Sequence, residues 1–311
     1  MLRRMSTTEP TDPDPEAARR LTVNALLVTA GAVMISFAAV FTRLADVPAT
    51  TSAAYRMLFG SAALALLLAL VPSMRVGLSR NWAGSILIAA FFTLDLWAWH
   101  RSILLIGPGL STLLANFQVF VLAAAGVLWM KERVGWRFAG GLGMAMLGLW
   151  LLFGRDWASL DAGARVGILF GLLTACAYGS YLLSLRGFQL RHAGIRPEAR
   201  LLQVSIACCA MLVAINAIEG NGFAIPDRQT LFSLLGLGIV CQVLGWLAIT
   251  RGMPGLPASL VGLVLLLQPV LSIVWDLLWF DLSLVVVQAV GAGLALVGIY
   301  LGMQSRAARR R

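Results

Sequence analysis

Apolar residues dominate this chain in ten stretches, each about 20 residues long, and short hinges between the stretches hold nearly all of its charged residues. A bilayer core about 30 Å thick requires about 20 helical residues to cross it. Because lipid offers no hydrogen-bonding partner to an open backbone, such stretches must be helices. The pattern predicts ten membrane-spanning helices, over residues 21–42, 49–71, 82–104, 109–130, 136–153, 164–187, 200–218, 230–250, 256–279 and 283–303.

The composition also predicts an all-α integral membrane protein. Hydrophobic residues make up 59% of the chain and charged residues 12%, and the mean hydropathy is +0.86. A soluble domain carries about 25% charged residues. Ten spans consume nearly all of the 311 residues. We therefore expect no soluble domain, only a disordered cytoplasmic tail over residues 1–20 and a basic cytoplasmic tail over residues 304–311.

Positive charge is distributed unevenly between the two ends of the predicted helices. Arg56 lies inside a span, and 18 of the other Lys and Arg residues fall on the side that carries both termini. The opposite side holds Arg43, Arg101, Arg155, Arg165 and Arg228. Short loops rich in Lys and Arg stay cytoplasmic, so we expect both termini inside. The net charge of +10 then indicates topology and contact with anionic membrane lipids, with no nucleic-acid partner.

The two halves of the chain repeat each other at an offset of 150 residues. Residues 101–150 align without a gap on residues 251–300 with 11 identities, among them Gln118 with Gln268. We place the repeats at 21–155 and 162–303, so that each holds five spans. Because an odd number of spans reverses the direction of entry, the second repeat is inverted. Inverted repeats are common in secondary transporters, which bind substrate near the midplane between the repeats.

A pattern near the end of each half resembles a known family. Gly109–Phe153 contains a helix, a short basic and acidic turn with Glu132, and a Gly-rich helix, and Leu256–Gly302 repeats it with Gln268-Pro269. This pattern resembles the end of an EamA repeat, and the chain resembles ten-helix members of the drug/metabolite transporter superfamily, most of all the YddG-like amino-acid exporters. The resemblance implies a multi-pass secondary transporter of the bacterial inner membrane that exports small organic solutes by alternating access.

Several ionisable residues fall inside predicted spans, where a charge is costly and usually faces a cavity or a partner. Arg56 lies roughly 10 Å deep in the second span, at 1.5 Å per residue, and Asp95 lies at a comparable depth in the third. Two interpretations stay open: a structural ion pair between the two helices, or a gate or proton-linked site beside the substrate path. His100 is either a hydrogen-bonded interfacial residue or a proton relay. Asp276 and Asp281 are expected at the membrane interface.

Amide side chains at middle depth are candidates for substrate contacts: Asn116 and Gln118 in the fourth span, Gln242 in the eighth and Gln268 in the ninth. An amide donates and accepts hydrogen bonds, which suits a zwitterionic amino acid. Gln118 and Gln268 occupy equivalent repeat positions, so a symmetric interhelical hydrogen bond is an equal alternative. Pro269 removes a backbone hydrogen bond and predicts a kink that could act as a hinge.

Aromatic residues deep in the spans are candidates for cavity walls. These are Trp97, Tyr178, Tyr181 and Trp246, whereas the Trp residues near span ends fit the aromatic belt at the membrane interface. The four cysteines lack the spacing of a metal site. We expect neither a metal nor a cofactor.

The same observations separate the classes of function. An enzyme acting on lipid needs clustered His, Asp or Glu at one interface, but the two histidines fall on opposite sides. No ATP-binding motif is present, so a gradient must drive any transport. The prediction is an exporter of aromatic or other neutral amino acids, acting as a monomer or a homodimer. The alternatives are export of drugs, nucleosides or other metabolites, and a passive solute channel.

Overall fold

The structure, a computed structural model, describes residues 15–130, 135–154, 158–191, 194–252, 256, 264–265 and 267–307. Within these ranges the regular secondary structure is helical. The helices are α1 (Pro15–Leu44), α2 (Ala49–Leu70), α3 (Trp82–Ile106), α4 (Pro108–Ala115), α5 (Gln118–Met130), α6 (Trp136–Leu149), α7 (Ala162–Arg191), α8 (Pro197–Ile218), α9 (Arg228–Leu235), α10 (Trp246–Gly252), α11 (Leu267–Trp279) and α12 (Val286–Ala307). A 3₁₀ turn covers Pro72–Arg75, and two π-helical segments cover Trp150–Gly154 and Gly236–Gly245.

Six helical stretches are long and apolar enough to cross a membrane: Arg19–Leu44, Ala49–Leu70, Trp82–Ile106, Ala162–Leu185, Pro197–Ile218 and Arg228–Gly252. Shorter apolar helices, at Pro108–Leu122, Ala139–Leu152, Leu267–Trp279 and Val286–Leu301, fall within the other predicted spans. The chain is therefore an all-helical membrane protein, while the count of ten crossings and the inverted repeat stay predictions. Helix α1 begins at Pro15 and α12 ends at Ala307, so both helices extend into the predicted tails, whose remaining residues lie outside the described ranges.

Helices from the two halves of the sequence pack against each other rather than forming two separate bundles. Helix α3 packs along α7, α2 along α8, α6 along α12, and α4 against α11, while α1 lies against α10 and the π-helical segment before it. Each of these pairs joins a helix before residue 155 to one after residue 161. A cavity in the middle of the bundle must therefore be lined from both halves.

Three of the predicted spans are not regular α-helices over their described residues. The fifth ends in the π-helical segment Trp150–Gly154, and the fourth and eighth are interrupted near the middle of the bundle. The fourth is broken at Asn116, whose side-chain amide donates to the Thr112 carbonyl at 2.8 Å, and the following helix begins only at Gln118. Such a local hydrogen bond competes with the continuing helix. The eighth contains the π-helical segment Gly236–Gly245, and π-helices are rare and are frequently found at functional sites. The irregular segments of the fourth and eighth spans are close to the central cavity.

Small residues set the closest helix contacts. A Cβ atom added at Gly148 on α6 would lie 2.5 Å from the Ala295 backbone nitrogen and 2.5 Å from the Gly291 carbonyl oxygen of α12. On the opposite side of this contact, Gly298 meets the backbone of α6 equally closely. Small residues let membrane helices approach in this way. These glycines form contacts inside the chain, so they are not evidence for a dimer.

We expect Gly148→Ala to destabilise the protein by about 1–3 kcal/mol, because the added methyl group forces α6 away from α12. Gly143 on the same helix is the matched control, since a Cβ there has open space around it. Alanine also favours helix over glycine by up to about 1 kcal/mol, so Gly143→Ala should leave the thermal unfolding midpoint unchanged or raise it. Equal effects of the two substitutions would contradict the tight contact.

Candidate functional site

A cavity of about 130 Å³ lies between the two halves of the chain. One water needs about 10–15 Å³, so the cavity is large enough for a small solute. The residues that line it come from eight of the helices, α1–α5, α7, α10 and α11, and from Asn116 and Leu265. They are Ile35, Arg56, Phe92, Asp95, Leu96, Trp99, Thr112, Ala115, Asn116, Gln118, Thr174, Tyr178, Trp246, Leu265 and Gln268.

Arg56 on α2 provides the positive charge of the cavity. Its side chain is 4% exposed, its Nε donates to Gln242 Oε1 at 3.3 Å, and its guanidinium lies 5.7 Å from the centre of the Trp99 ring. An amide and an aromatic face orient a guanidinium without neutralising it. The charge is therefore held in place and stays available to a ligand.

Asp95 on α3 provides the acidic side chain of the cavity. The residue is 6% exposed and lines the same cavity. Within the described part of the chain, its carboxylate accepts no hydrogen bond and forms no ion pair of contact length. Burying an unpaired carboxylate is expensive, which makes Asp95 a strong candidate for contact with a cationic group or with water.

The structure does not contain the direct ion pair between Arg56 and Asp95 that the sequence suggested as one interpretation. Both residues line one cavity, as their similar depth predicted, but no ion-pair contact joins them among the described residues. The reason is that Arg56 is turned toward Gln242 and Trp99. The cavity thus holds one basic and one acidic side chain that are not paired with each other.

Several neutral polar atoms at the cavity also lack partners. Gln118 Oε1, Thr112 Oγ1 and Thr174 Oγ1 are buried without a hydrogen bond, although buried polar groups are nearly always satisfied. Their side chains belong to α5, α4 and α7, and all three line the cavity. Unsatisfied groups that surround one space indicate that a polar ligand or water occupies it.

The predicted amide residues lie at the cavity or directly behind it. Asn116, Gln118 and Gln268 line it, and no hydrogen bond joins Gln118 to Gln268 among the described residues, which favours the ligand interpretation for this pair. Gln242 does not line the cavity. It is fully buried, holds Arg56 through Oε1, and donates from Nε2 to Ser205 Oγ at 3.5 Å, so it positions the guanidinium.

Of the predicted aromatic walls, Tyr178 and Trp246 line the cavity and Trp97 does not. The indole of Trp97 donates to Glu219 at 2.9 Å. The Trp that faces the cavity is Trp99, four residues after Asp95 and hence on the same face of α3, whereas Trp97 is turned by about 200° from Asp95. The spacing of four residues from Asp95 could have identified Trp99 from the sequence. Depth in the membrane alone does not distinguish Trp99 from Trp97. Tyr181 packs behind Tyr178, with ring centres 5.8 Å apart.

His100 and Pro269 lie beside the cavity and not in it. The His100 side chain is fully buried, neither ring nitrogen has a hydrogen-bond partner, and the ring meets Trp99 edge-on at 5.5 Å. This contradicts an interfacial, hydrogen-bonded role. Pro269 is buried in α11, and the kink and hinge expected of it stay predictions.

Asp276 is buried by the surrounding protein, and its position at the membrane interface stays a prediction. It is 2% exposed, and its Oδ2 accepts a hydrogen bond from the Gly109 backbone nitrogen at 2.8 Å. A carboxylate at the first turn of a helix satisfies a free N–H group there. Asp276 therefore joins α11 to α4, while Asp281 is exposed.

A cluster around Glu219, immediately after α8, was not predicted from the sequence. Its carboxylate accepts hydrogen bonds from Arg101 Nη2 at 2.6 Å and Trp97 Nε1 at 2.9 Å, both on α3, and from Thr50 Oγ1 on α2 at 2.6 Å. Partial burial raises the pKa of the Glu219 carboxylate, but the hydrogen bonds and the Arg101 charge together outweigh burial and lower that pKa below its usual 4.5. This cluster joins the two halves at one end of the bundle, which we call the Glu219 end.

The Glu219 cluster gives a pH-dependent contribution to stability. Because the pKa is lower in the folded protein, the contribution is full above pH 4.5 and is lost as pH falls through the folded value. Glu219→Gln should lower the unfolding midpoint at pH 7, and the difference from the parent chain should shrink as pH falls below 4.5. The exposed Glu16→Gln is the control and should have no such effect. A difference that does not vary with pH would contradict the role of the charge.

No three His, Cys, Asp or Glu side chains of the described residues come together as a metal site. The four cysteines, Cys176, Cys208, Cys209 and Cys241, are free. The site is therefore built from two charges, amides, hydroxyls and aromatic rings.

Comparison with known proteins gives the family and the fold. A solved crystal structure is similar to this chain with a TM-score of 0.64 and 18% sequence identity, covering 93% of this chain and 98% of that one. A search of curated proteins gave no match. The model of the EamA-like transporter family matches residues 23–154 and 165–303. The chain therefore belongs to the EamA-like transporter family of the drug/metabolite transporter superfamily, whose members are membrane transporters of small solutes and not enzymes.

Proposed function

We propose that the protein is a secondary transporter of neutral amino acids, aromatic ones included, that exports them across the bacterial inner membrane. The observation that carries the proposal is that Arg56 and Asp95, one basic and one acidic side chain, are buried in one cavity without pairing with each other. An α-amino acid presents a carboxylate and an ammonium group close together. Its head group matches these two charges and would neutralise both.

Each component of the cavity has a counterpart in this substrate. A guanidinium binds a carboxylate through a fork of N–H donors, and the Asp95 carboxylate accepts from an ammonium group. The unsatisfied Gln118, Thr112 and Thr174 atoms supply further hydrogen bonds. Phe92, Trp99, Tyr178 and Trp246 provide apolar surface for a neutral side chain. Drugs, nucleosides and other metabolites rarely carry both charges in this arrangement.

The proposed mechanism is alternating access between two inverted five-helix repeats. The two family matches divide the chain near residue 160, and both halves line the cavity, as expected for such a transporter. Opening the Glu219 end would break the hydrogen bonds that join α8 to α2 and α3 there. The proposal places both termini in the cytoplasm, from the excess of Lys and Arg on their side, and takes the YddG-like exporters as the nearest subtype.

A counterflow assay tests the substrate class. Purified protein in liposomes that contain an unlabelled neutral amino acid should accumulate the same labelled amino acid transiently and with saturation. Flux that never saturates would indicate a passive channel. If nucleosides or drugs showed counterflow and no amino acid of a complete panel did, the substrate class would be nucleosides or drugs and not amino acids.

A further inference from the structure

A second, smaller cavity of about 50 Å³ lies at the end of the bundle opposite Glu219. Its lining includes Glu198 and Arg200 from the first turn of α8, Tyr181 from α7, and Trp246 and Thr250 from α10. One water needs about 10–15 Å³, so the space suits the charged head group of a small molecule. This cavity is separate from the central one, although Trp246 lines both.

Arg200 is a buried cation without an anionic partner. The residue is 3% exposed, and its Nη1 donates to Ser85 Oγ at 2.5 Å, to the Asn81 carbonyl at 3.3 Å and to Gln203 Oε1 at 3.3 Å. All three acceptors are neutral. Across the described residues, no carboxylate forms an ion pair with Arg200. Sequence alone assigned this arginine to the positive loops, but the structure buries it.

Glu198 provides an opposite charge in the same cavity. It is 7% exposed, and its one ion-pair contact among the described residues is the long 3.4 Å contact with the partly exposed Arg196. Glu198 and Arg200 line one space without pairing with each other. The arrangement repeats that of Asp95 and Arg56 in the central cavity.

Aromatic rings form the wall between the two cavities. Trp246 contributes to both linings, Tyr178 lines the central cavity and Tyr181 the smaller one. The rings of Tyr178 and Tyr181 lie nearly parallel, with centres 5.8 Å apart. These three aromatic side chains therefore lie at the boundary between the two spaces.

We propose that the smaller cavity is a second amino-acid site, in which Arg200 binds the carboxylate and Glu198 the ammonium group, and that Trp246 and the two tyrosines separate it from the central site. The inference rests on the proposed function, since it assigns the same substrate class to a second binding site. A solute would occupy this site before or after the central one, depending on the direction of flux.

Equilibrium binding to purified protein tests the second site, with labelled L-alanine and L-phenylalanine as probes. We expect two molecules bound per chain in the parent protein and one in Arg200→Gln. Thr250→Phe, which fills the smaller cavity while Arg200 is kept, should also bind one, and it keeps the test valid if Arg200→Gln fails to fold. The exposed Arg251 lies on the same side of the protein, and Arg251→Gln should bind two.

The outcomes separate the inference from the proposed function. Suppose that the parent protein binds one molecule per chain, that Arg56→Gln binds none, and that Arg200→Gln and Thr250→Phe each still bind one. This result would overturn the second site and leave the central site in place. If the parent protein binds two molecules per chain and Arg56→Gln binds one, the result supports both sites. No binding of either probe to the parent protein, together with no counterflow for the amino-acid panel, would remove the proposed function and the second site with it.

Discussion

Arg56→Gln should reduce amino-acid transport by about 30-fold to several thousand-fold, because the substrate carboxylate loses its buried, charged partner. Truncating one member of a buried, hydrogen-bonded charge pair costs about 2–5 kcal/mol, and each 1.4 kcal/mol corresponds to about a tenfold change in affinity. The remaining Asp95 would then repel the carboxylate. Initial rates of counterflow in liposomes, at equal amounts of folded protein, measure the effect.

Two control variants identify the cause of that loss. Arg56→Lys keeps the charge but not the planar fork of donors, so we expect partial activity. Arg228 is an exposed arginine at the start of α9, and Arg228→Gln should transport like the parent protein. If Arg56→Gln kept full transport with unchanged half-saturation, the guanidinium would have no role in binding.

Asp95→Asn should change which molecules compete for the site. The amide can no longer neutralise an ammonium group, so inhibition by the amino acid should weaken by about 30-fold or more, for the same loss of a buried charge partner. The deaminated acid with the same side chain has no ammonium group and retains its contact with Arg56. Its inhibition should stay the same or improve, because the repulsion by Asp95 has gone.

The comparison of these two inhibitors is the control for folding. Damage to the cavity as a whole would weaken both inhibitors to the same extent, and this result would exclude Asp95 as the partner of the ammonium group. Inhibition curves for the parent protein and Asp95→Asn, each with the amino acid and its deaminated analogue, are sufficient to decide.

The helices could be predicted because the bilayer imposes a simple constraint. Apolar length and the need to satisfy backbone hydrogen bonds determine where helices can lie, and the described helices overlap the predicted spans, several of them extending a few residues beyond. The break at Asn116 and the π-helical segment at Gly236–Gly245 were not predicted. They depend on local hydrogen bonds and on packing against neighbouring helices, which hydropathy does not contain.

The cavity could be predicted in part, by depth and residue type. Depth predicted that Arg56 and Asp95 lie at one level of the membrane. It did not predict the side-chain orientation that turns Arg56 toward Gln242 and leaves Arg56 and Asp95 unpaired. Trp97 was chosen over Trp99 because depth does not distinguish two residues on opposite faces of one helix. Glu219 and Arg200 were overlooked because charged residues at span ends normally face water, whereas tertiary contacts hold both of them.

A structure of the protein with a neutral amino acid bound tests the central cavity most directly. We expect the ligand between Arg56 and Asp95, with its carboxylate at hydrogen-bond distance from the guanidinium, its ammonium group on the Asp95 carboxylate, and its side chain against Trp99 and Trp246. An empty cavity in which Arg56 and Asp95 bind each other, with the amino acid located elsewhere, would contradict a substrate site between the two halves.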